Sequence, residues 1–567
     1  MTAGKAGRLE ADEVALLLEE FGRRLELEGE NTYRARADYR AAASLRTLTL
    51  PLADVIAAGR LREIPGVGPA LESRIVALHE SGTHPKLEAM RREAPEGVLA
   101  MLRIPRLSAD KVAKIHRELG LDSIESLEAA CRRGDLAGVK GLGPALQETI
   151  LRGIEMLRRS QGQRLIHHAG DILEGAAANL ARSHPDLTRI VAAGEYRRGC
   201  ELVADLVLVA ETAPGAVSGT LDLGELKLHL AEPARYGPVL IIATGSAAHV
   251  EALQARARER GFKLDASGLR RGRKLVPCPD ESDVYAALGL PLIAPELRET
   301  GEEIALAAES RLPTLVDDAD LRGLVHCHTD FSDGADTLET MALATRKRGY
   351  RYFGVADHSK SAGYAGGLSV EEIQEQHALA DAFNARTRGF RIFKGIESDI
   401  LIDGSLDYPD EVLARFDFVV ASVHSRFRMD SEAQTARIVR AVQNPYTTIL
   451  GHMTGRMLMR REGYEVDIPA ILAACAEHGV AVEINANPHR LDVDWRWHRL
   501  ALELGCMMSI NPDAHSTDEL DLTHWGVLMA RKGGVPKDRV LNCLDLKAFA
   551  AHLDRRKRAA AHRSQPR

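Results

Sequence analysis

The tightest constraint on folding lies between residues 323 and 515. Short apolar runs recur there, and almost every one passes into a loop bearing a histidine or a carboxylate: "GLVHCHTD", "YRYFGVADHS", "RIFKGIESDI", "FDFVVASVHS", "TTILGHM", "GVAVEINAN" and "CMMSINPDAHS". Helix-period stretches such as 367–387 and 431–443 separate several of them. Apolar runs of this length bounded by loops read as strands buried on both faces. Their alternation with helices predicts parallel β–α units closing into a barrel, with functional side chains on the loops at the strand C-termini.

Nine candidate ligands sit on those strand ends. The first end supplies His326 and His328, two residues apart and therefore expected on one face of a strand. Asp333 follows in "TDFSDG", then His358, Glu397, His424 and His452; the last end supplies Asp513 and His515, again two apart. A single histidine in such a place is an ordinary buried hydrogen-bonding residue. Six histidines and three carboxylates at successive strand ends form a metal constellation. They exceed one ion's needs and predict two or three divalent ions, with Glu397 as a bridge because a carboxylate offers two oxygens. Mixed imidazole and carboxylate favours Zn2+, Mn2+ or Fe over Ca2+ or Mg2+. Ions about 3.5–4 Å apart can activate a shared water and clamp both oxygens of an in-line phosphoryl displacement. The expected chemistry is metal-assisted phosphoester hydrolysis, with Glu397 and Arg426 as its candidate catalytic residues. Arg456, Arg490 and Lys360 also lie just past ligand motifs and could hold substrate phosphate.

The first 160 residues are helical by period, with glycine-punctuated turns. "LREIPGVGPALESRIVALHESG" (61–82) and "LAGVKGLGPALQETILRGIE" (136–155) share a glycine–apolar–glycine–Pro-Ala-Leu core followed by a helix. Between them, "MLRIPRLSADKVAKIHRELG" (101–120) has the same shape with Arg106 and Ser108 in place of the glycines. Gly66, Gly68, Gly141 and Gly143 are expected to supply turns with φ > 0 that let backbone N–H groups face an anion. The pattern resembles the helix-hairpin-helix motif, which grips a DNA backbone phosphate without reading sequence.

At 567 residues the chain needs several cores. Its net charge of −7 excludes a uniformly basic nucleic-acid coat, although "LRRGRKL" (269–275) and the tail 555–567 are basic, as solvated segments or as phosphate contacts. Aromatic content of 4% argues against base stacking as the main binding device. Seven cysteines without CxxC spacing read as reduced. No run of 18 apolar residues occurs, so no membrane span is expected, and the charged, amphipathic start is no signal peptide.

The ordered set HxH, SDG, DHS, E, H, H and DAH resembles the PHP (polymerase and histidinol phosphatase) domain, a seven-stranded barrel-like phosphoesterase, over roughly 320–545. Upstream, "LEGENTYRARADYRAAASL" (27–45), the hairpins, "GEYRRG", "ATGSAAH" and "ALGLPLIAPELRE" resemble bacterial family X DNA polymerases, so the resemblance spans nearly the whole chain. It implies a multidomain fold: an α-helical helix-hairpin-helix region, an α+β nucleotidyltransferase-like palm and thumb, and a C-terminal (β/α)7 barrel-like PHP domain. The boundaries expected are 1–85, a fingers-like 86–160, palm 161–231, thumb 232–302, linker 303–318 and PHP domain 319–567. The resemblance further implies Mn2+-dependent 3′–5′ exonuclease activity and processing of damaged ends in base-excision repair. The implied partners are gapped, nicked or 3′-recessed DNA, with dNTP as a further candidate ligand. A cytoplasmic, nucleoid-associated monomer is the corresponding expectation.

The palm motif departs from that family. In "AAGEYRRGCELVADLVLVA" (192–210), Gly194, Arg197 and Arg198 fit as phosphate-binding residues and Asp205 fills the first of three metal-binding acids. Val207 replaces the second, and counting back from Tyr236-Gly237 places Lys227 at the third, with Glu225 nearby. Glu195 stands where a phosphate-binding serine is usual, Ala243 where a bulky residue precedes TGS, and Val250 where asparagine is usual. Such a palm should hold Mg2+ or Mn2+ poorly. Arg74 occupies the place of the Schiff-base lysine, and arginine stays protonated, so lyase activity is not expected by that route. The leading reading is a DNA-repair nuclease with a DNA-binding palm. Its rivals are an active Mn2+-dependent gap-filling polymerase in which Glu201 or Glu225 substitutes, a small-molecule phosphatase, and a DNA scaffold with a structural metal cluster.

Overall fold

A computed structural model describes residues 8–27, 32–46, 51–64, 67–160 and 162–563. The chain divides into two units, residues 1–161 with 459–461, and residues 162–458 with 462–567. No helix among the described residues is long and apolar enough to cross a membrane.

The first unit is helical around two apolar cores, one built on Leu18, Phe21, Ile75 and Leu78, the other on Val112, Ile115, Leu127 and Ile150. Its hairpins correct the expected glycine conformations. Gly68 (φ −97°, ψ 178°) and Gly143 (φ −66°, ψ 176°) are extended N-caps of the helices Pro69–Ser81 and Pro144–Arg159. Each precedes a proline, whose ring drives the preceding residue into the extended region. Gly141 does adopt φ 87°, and Gly66 lies outside the described residues. In the middle copy Arg106 takes the same left-handed turn (φ 67°), and extended Ser108 caps the helix Ala109–Leu119. All three hairpins thus enter their second helix from an extended residue.

In the second unit the palm sheet has strands β1 (Thr188–Ala192), β2 (Leu206–Glu211), β3 (Gly219–Asp222) and β4 (Leu226–Ala231) in the order β1-β2-β4-β3. β2 is apolar and buried from Leu206 to Ala210 and runs parallel to β4, with Val207 opposite Lys227. The thumb pairs a three-stranded antiparallel sheet, β5 (Lys263–Asp265), β6 (Gly268–Arg271) and β7 (Lys274–Val276), with helices over a core containing Leu253, Leu269 and Tyr285. "PVLIIATGS", expected as a β-rich run, lies largely in the helix Tyr236–Thr244. A short run apolar on every side cannot distinguish a buried helix from a strand. The expected linker at 303–318 begins inside another helix, Glu302–Ala308, whose Ile304 and Ala307 join the thumb core.

The remainder forms seven parallel strands in chain order: β8 (Gly323–Cys327), β9 (Tyr352–Val355), β10 (Arg391–Asp399), β11 (Phe418–Ser422), β12 (Ile449–Leu450), β13 (Ala481–Asn485) and β14 (Met508–Asn511). A parallel bridge between Cys327 and Ala514 brings the last strand's end to the first, so the barrel is nearly closed. Val325, Phe393, Phe418 and Val420 share one buried cluster. Gly395 makes room for it, since an added Cβ would meet the Phe418 ring at 2.2 Å.

Candidate metal centre

All nine predicted ligands converge at the C-terminal ends of the barrel strands. The HxH pair does so by breaking strand geometry. β8 shifts register between Leu324 and Cys327, and His326 takes φ 57°. Asp513, past β14, takes φ 53°. Left-handed backbone at non-glycine residues costs about 1–3 kcal/mol each and is retained where packing overdetermines it.

Glu397 occupies the centre, 1% exposed. Its Oε1 lies 3.2 Å from His326 Nε2, 3.3 Å from His424 Nε2 and 3.0 Å from His452 Nε2. Its Oε2 lies 2.9 Å from His358 Nδ1 and 3.7 Å from His328 Nε2. Asp513 Oδ1 is 3.2 Å from His328 Nε2 and 3.6 Å from His326 Nε2. Asp333 closes the outer side, 3.3 Å from His515 Nε2 and 3.6 Å from His358 Nε2. The ligand atoms form four overlapping sets, each within 4.8 Å: His328, Asp333, His358 and His515; His326, His328 and Asp513; His326, Glu397 and His452; His358, Glu397 and His424. Glu397 joins the last two sets, and His326, His328 and His358 link the others, so the donors form one continuous field wide enough for more than one ion.

The donor set fits bound cations. His326 Nε2, His328 Nδ1, His358 Nδ1 and Glu397 Oε2 are buried with no hydrogen-bond partner. Buried polar atoms are normally paired, so convergent orphaned lone pairs call for a Lewis acid. Electrostatics agree. Burial opposes charging His326, but Glu483, Glu397 and Asp513 outweigh it and hold its pKa well above the ordinary value. Likewise, despite burial, Glu397 and Asp333 raise His358 to about 10 and Asp333 with Asp513 raise His515 to about 9. Against the desolvation of Glu397 and Asp513, surrounding imidazoles hold both carboxyls well below the usual range. His328 is driven down to about 3 by burial and by His515 and His358. Protons here occupy places that divalent ions can take, and ion binding would release them.

A supporting layer was not anticipated. Glu483 is buried and accepts from His326 Nδ1 (2.5 Å), the His452 backbone N–H (2.6 Å) and Asn511 Nδ2 (2.7 Å). Asp399 accepts from His424 Nδ1 at 2.6 Å. These bonds direct the Nε2 atoms of His326 and His424 at the site. Buried Asp357 accepts from Thr329 N, Thr329 Oγ1, Ser332 Oγ and Gln376 Nε2, which ties down the loop after His328. The signal was present in the sequence: Glu397/Asp399 and Glu483/Asn485 are polar pairs two residues apart on otherwise apolar strands.

The predicted phosphate holders separate. Arg490 stays beside the centre, its Nε 3.6 Å from Asp513 Oδ2. Arg426 (φ 59°) and Lys360 are exposed just past His424 and His358. Arg456 is committed elsewhere: it donates to Asp494 Oδ2 (2.8 Å), to the Arg490 and Leu491 carbonyls, and to Glu201 Oε1 (3.2 Å). Glu201 also accepts from Trp495 Nε1 at 3.2 Å, so this substitute acid joins palm to barrel.

In the palm, Asp205 stands exposed with Lys227 Nζ 3.3 Å from its Oδ1. Glu225 is exposed and 3.5 Å from Arg164, and Glu195 accepts from the Ala204 N–H at 2.7 Å. Arg197 donates to Glu281 (2.7 Å and 2.8 Å) and Thr244 Oγ1 (3.0 Å). Arg198 donates to Glu299 Oε1 (2.9 Å) and the Thr244 carbonyl (2.7 Å). Both guanidiniums, expected on phosphate, meet carboxylates of the thumb. In the first unit Arg74 pairs with Asp38 and lies 3.9 Å from the Phe21 ring centroid. The hairpin glycines Gly68, Gly141 and Gly143 are open: an added Cβ at any of them meets nothing within 4 Å.

A helix-hairpin-helix domain model matches residues 10–84, a DNA polymerase beta thumb model 239–299, and a PHP domain model 325–487. The DNA polymerase/3′-5′ exonuclease PolX of Bacillus subtilis (strain 168) is 33% identical over 570 residues, covering 96% of this chain and 99% of that protein. A probable phosphatase of Thermoanaerobacter sp. (strain X514) is 28% identical over 252 residues, 41% of this chain and 94% of its own length. A probable phosphatase of Vibrio parahaemolyticus is 27% identical over 227 residues, 38% of this chain and 87% of its own.

Proposed function

Since the chain belongs to the family of the DNA polymerase/3′-5′ exonuclease PolX, we propose that its barrel hydrolyses DNA phosphodiesters from a 3′ end, and that its palm binds DNA while transferring nucleotides poorly. Two or three Mn2+ or Zn2+ ions would be held by His326, His328, Asp333, His358, Glu397, His424, His452, Asp513 and His515. When bound, such ions supply Lewis acidity and lower the pKa of an attacking water. The protein groups set the geometry. Glu397 anchors five imidazoles at one point. Glu483 and Asp399 fix imidazole tautomers. Arg490, Arg426 and Lys360 supply positive charge for a substrate phosphate. The hairpins, with open backbone at Gly68, Gly141 and Gly143, are the proposed grips on duplex backbone, for gapped, nicked or 3′-recessed DNA.

The observation that carries this reading is the ring of five imidazoles within 3.7 Å of the buried Glu397 carboxylate. The palm offers the opposite: one exposed carboxylate with Lys227 Nζ 3.3 Å away, and Val207 two residues on, where a second acid would be needed. Gap filling in base-excision repair is the second reading, favoured by the polymerase in the relative's name. The phosphatase names of the shorter relatives favour a small substrate, but the helix-hairpin-helix and thumb regions have no use on one.

The test is hydrolysis of 3′-labelled DNA by the full chain. Activity should disappear with a chelator, return with Mn2+, and be absent from His326→Ala. Undiminished activity in excess EDTA contradicts the proposal.

A further inference from the structure

Tyr364 is the only aromatic residue among the strongly exposed large apolar side chains of the described residues, at 74% exposure. A lone exposed ring is ordinary on a protein surface, so its bearing here comes from the ordered segment that holds it and from its place beside the metal centre. The segment is ordered by many bonds. Ser361 N and Oγ donate to Asp407 (2.6 Å and 2.5 Å), Lys360 N donates to Tyr408 Oη (3.1 Å), and Ala362 N donates to the Ser359 carbonyl (2.9 Å). Gly367 lets the loop fold back on itself, since an added Cβ would meet the Ser359 carbonyl oxygen at 1.9 Å.

That loop sits at the mouth of the metal centre. The Tyr364 ring centroid is 6.3 Å from that of His358, and its phenol lies within electrostatic reach of Asp399, Glu397, Asp333 and Arg490. Lys360 and Arg426 are exposed just past the ligands His358 and His424, and Arg490 borders Asp513. A rigid aromatic face with cations beside a phosphoesterase centre is the combination that holds single-stranded nucleic acid: cations follow the backbone and the ring stacks on a base. A small phosphate ester needs no such ring. A base within a duplex is already stacked on both faces.

We propose that Tyr364 is a positioning residue that stacks on the terminal base of a single-stranded nucleic-acid end and thereby selects frayed or unpaired ends for the barrel site. The proposal rests on the nuclease reading above. Stacking is sequence-tolerant, so the selection is for an unpaired base and not for one base over another.

The experiment measures hydrolysis of two single-stranded oligonucleotides by the full-length protein with Mn2+, one ending in a normal 3′ base and one in a 3′ abasic residue. It compares wild type with Tyr364→Ala, Tyr364→Phe and Tyr364→Trp. Tyr364→Ala should raise KM for the base-bearing end roughly 5- to 100-fold at unchanged kcat, the range expected for loss of one stacked base. Phe and Trp should restore KM, and the abasic end should show no difference among the four proteins. Metal-free binding provides a second readout: 2-aminopurine at the 3′ end should be quenched by wild type and not by Tyr364→Ala. An unchanged KM and equal quenching with Tyr364→Ala overturn the stacking role while leaving the nuclease reading intact. Equal losses on both ends, or no rescue by Phe, likewise overturn it. If wild type hydrolyses neither oligonucleotide, the nuclease reading fails and this proposal falls with it.

Discussion

Two strands deliver a carboxylate to a strand end, and their surroundings set them apart. Asp205, at the start of β2, is 65% exposed with a lysine ammonium 3.3 Å away. Glu397, on β10, is 1% exposed and ringed by five imidazoles. A lone carboxylate in water, already paired with an internal cation, gains little by binding a metal. A desolvated carboxylate among orphaned nitrogens is poorly satisfied until cations arrive. Burial among imidazoles thus suits Glu397 to a metal, whereas exposure beside Lys227 and Val207 leaves Asp205 a surface carboxylate.

The comparison breaks most sharply at Glu397. Glu397→Gln should abolish DNA hydrolysis to background and lower the metal content of the purified chain, measured by elemental analysis. Full activity in that variant would remove the centre from the account. The next effect concerns the palm arginines. Glu281→Gln leaves Arg197 and Arg298 buried beside a neutral amide and should cost about 3–5 kcal/mol of unfolding free energy by denaturant titration. A change within 0.5 kcal/mol would return Arg197 to the set of free phosphate binders. The pH dependence follows from the same contact. Despite its burial, Glu281 is held down to about 2 by Arg197 and Arg298. A lowered carboxylate pKa stabilises the folded state above the ordinary value near 4.5 and loses that contribution as pH falls from there toward about 2. Wild type should therefore lose more stability across that window than Glu281→Gln does, as followed by thermal melts.

A smaller effect is expected at Glu483. Glu483→Gln keeps the shape but weakens the acceptor for His326 Nδ1 and should cost roughly 10–100-fold in metal affinity or activity. Titration with Mn2+ in the full chain measures it, and an unchanged affinity would demote Glu483 to packing. Asp205→Ala should matter least. Nuclease rate and stability should stay within roughly twofold and 0.5 kcal/mol, the scale of a surface substitution.

What could be read beforehand divides along physical lines. The convergent histidines and carboxylates are legible because those residue types at apolar strand ends have few alternative uses, and the barrel because β–α alternation has few topologies. Glu483 and Asp399 were passed over although they stand two residues from Asn485 and Glu397, because a supporting carboxylate looks the same as a solvent-facing one until the barrel closes. Residue type alone predicts positive φ at Gly68 and Gly143, whereas Pro69 and Pro144 dictate extended backbone before them. "PVLIIAT" looks like a strand in sequence because only the thumb packing decides its state. The sequence alone points Arg197 and Arg198 at phosphate because their partners Glu281 and Glu299 lie 84 and 101 residues away, beyond any local pattern.

The most direct test uses one gapped primer-template with Mn2+ and all four dNTPs, incubated with wild type, Asp205→Ala and Glu397→Gln. The expected result is a shortened primer with wild type and with Asp205→Ala, an intact primer with Glu397→Gln, and little extension product in any lane. A primer lengthened by wild type and Glu397→Gln but not by Asp205→Ala would contradict it, because the working metal site would then be in the palm.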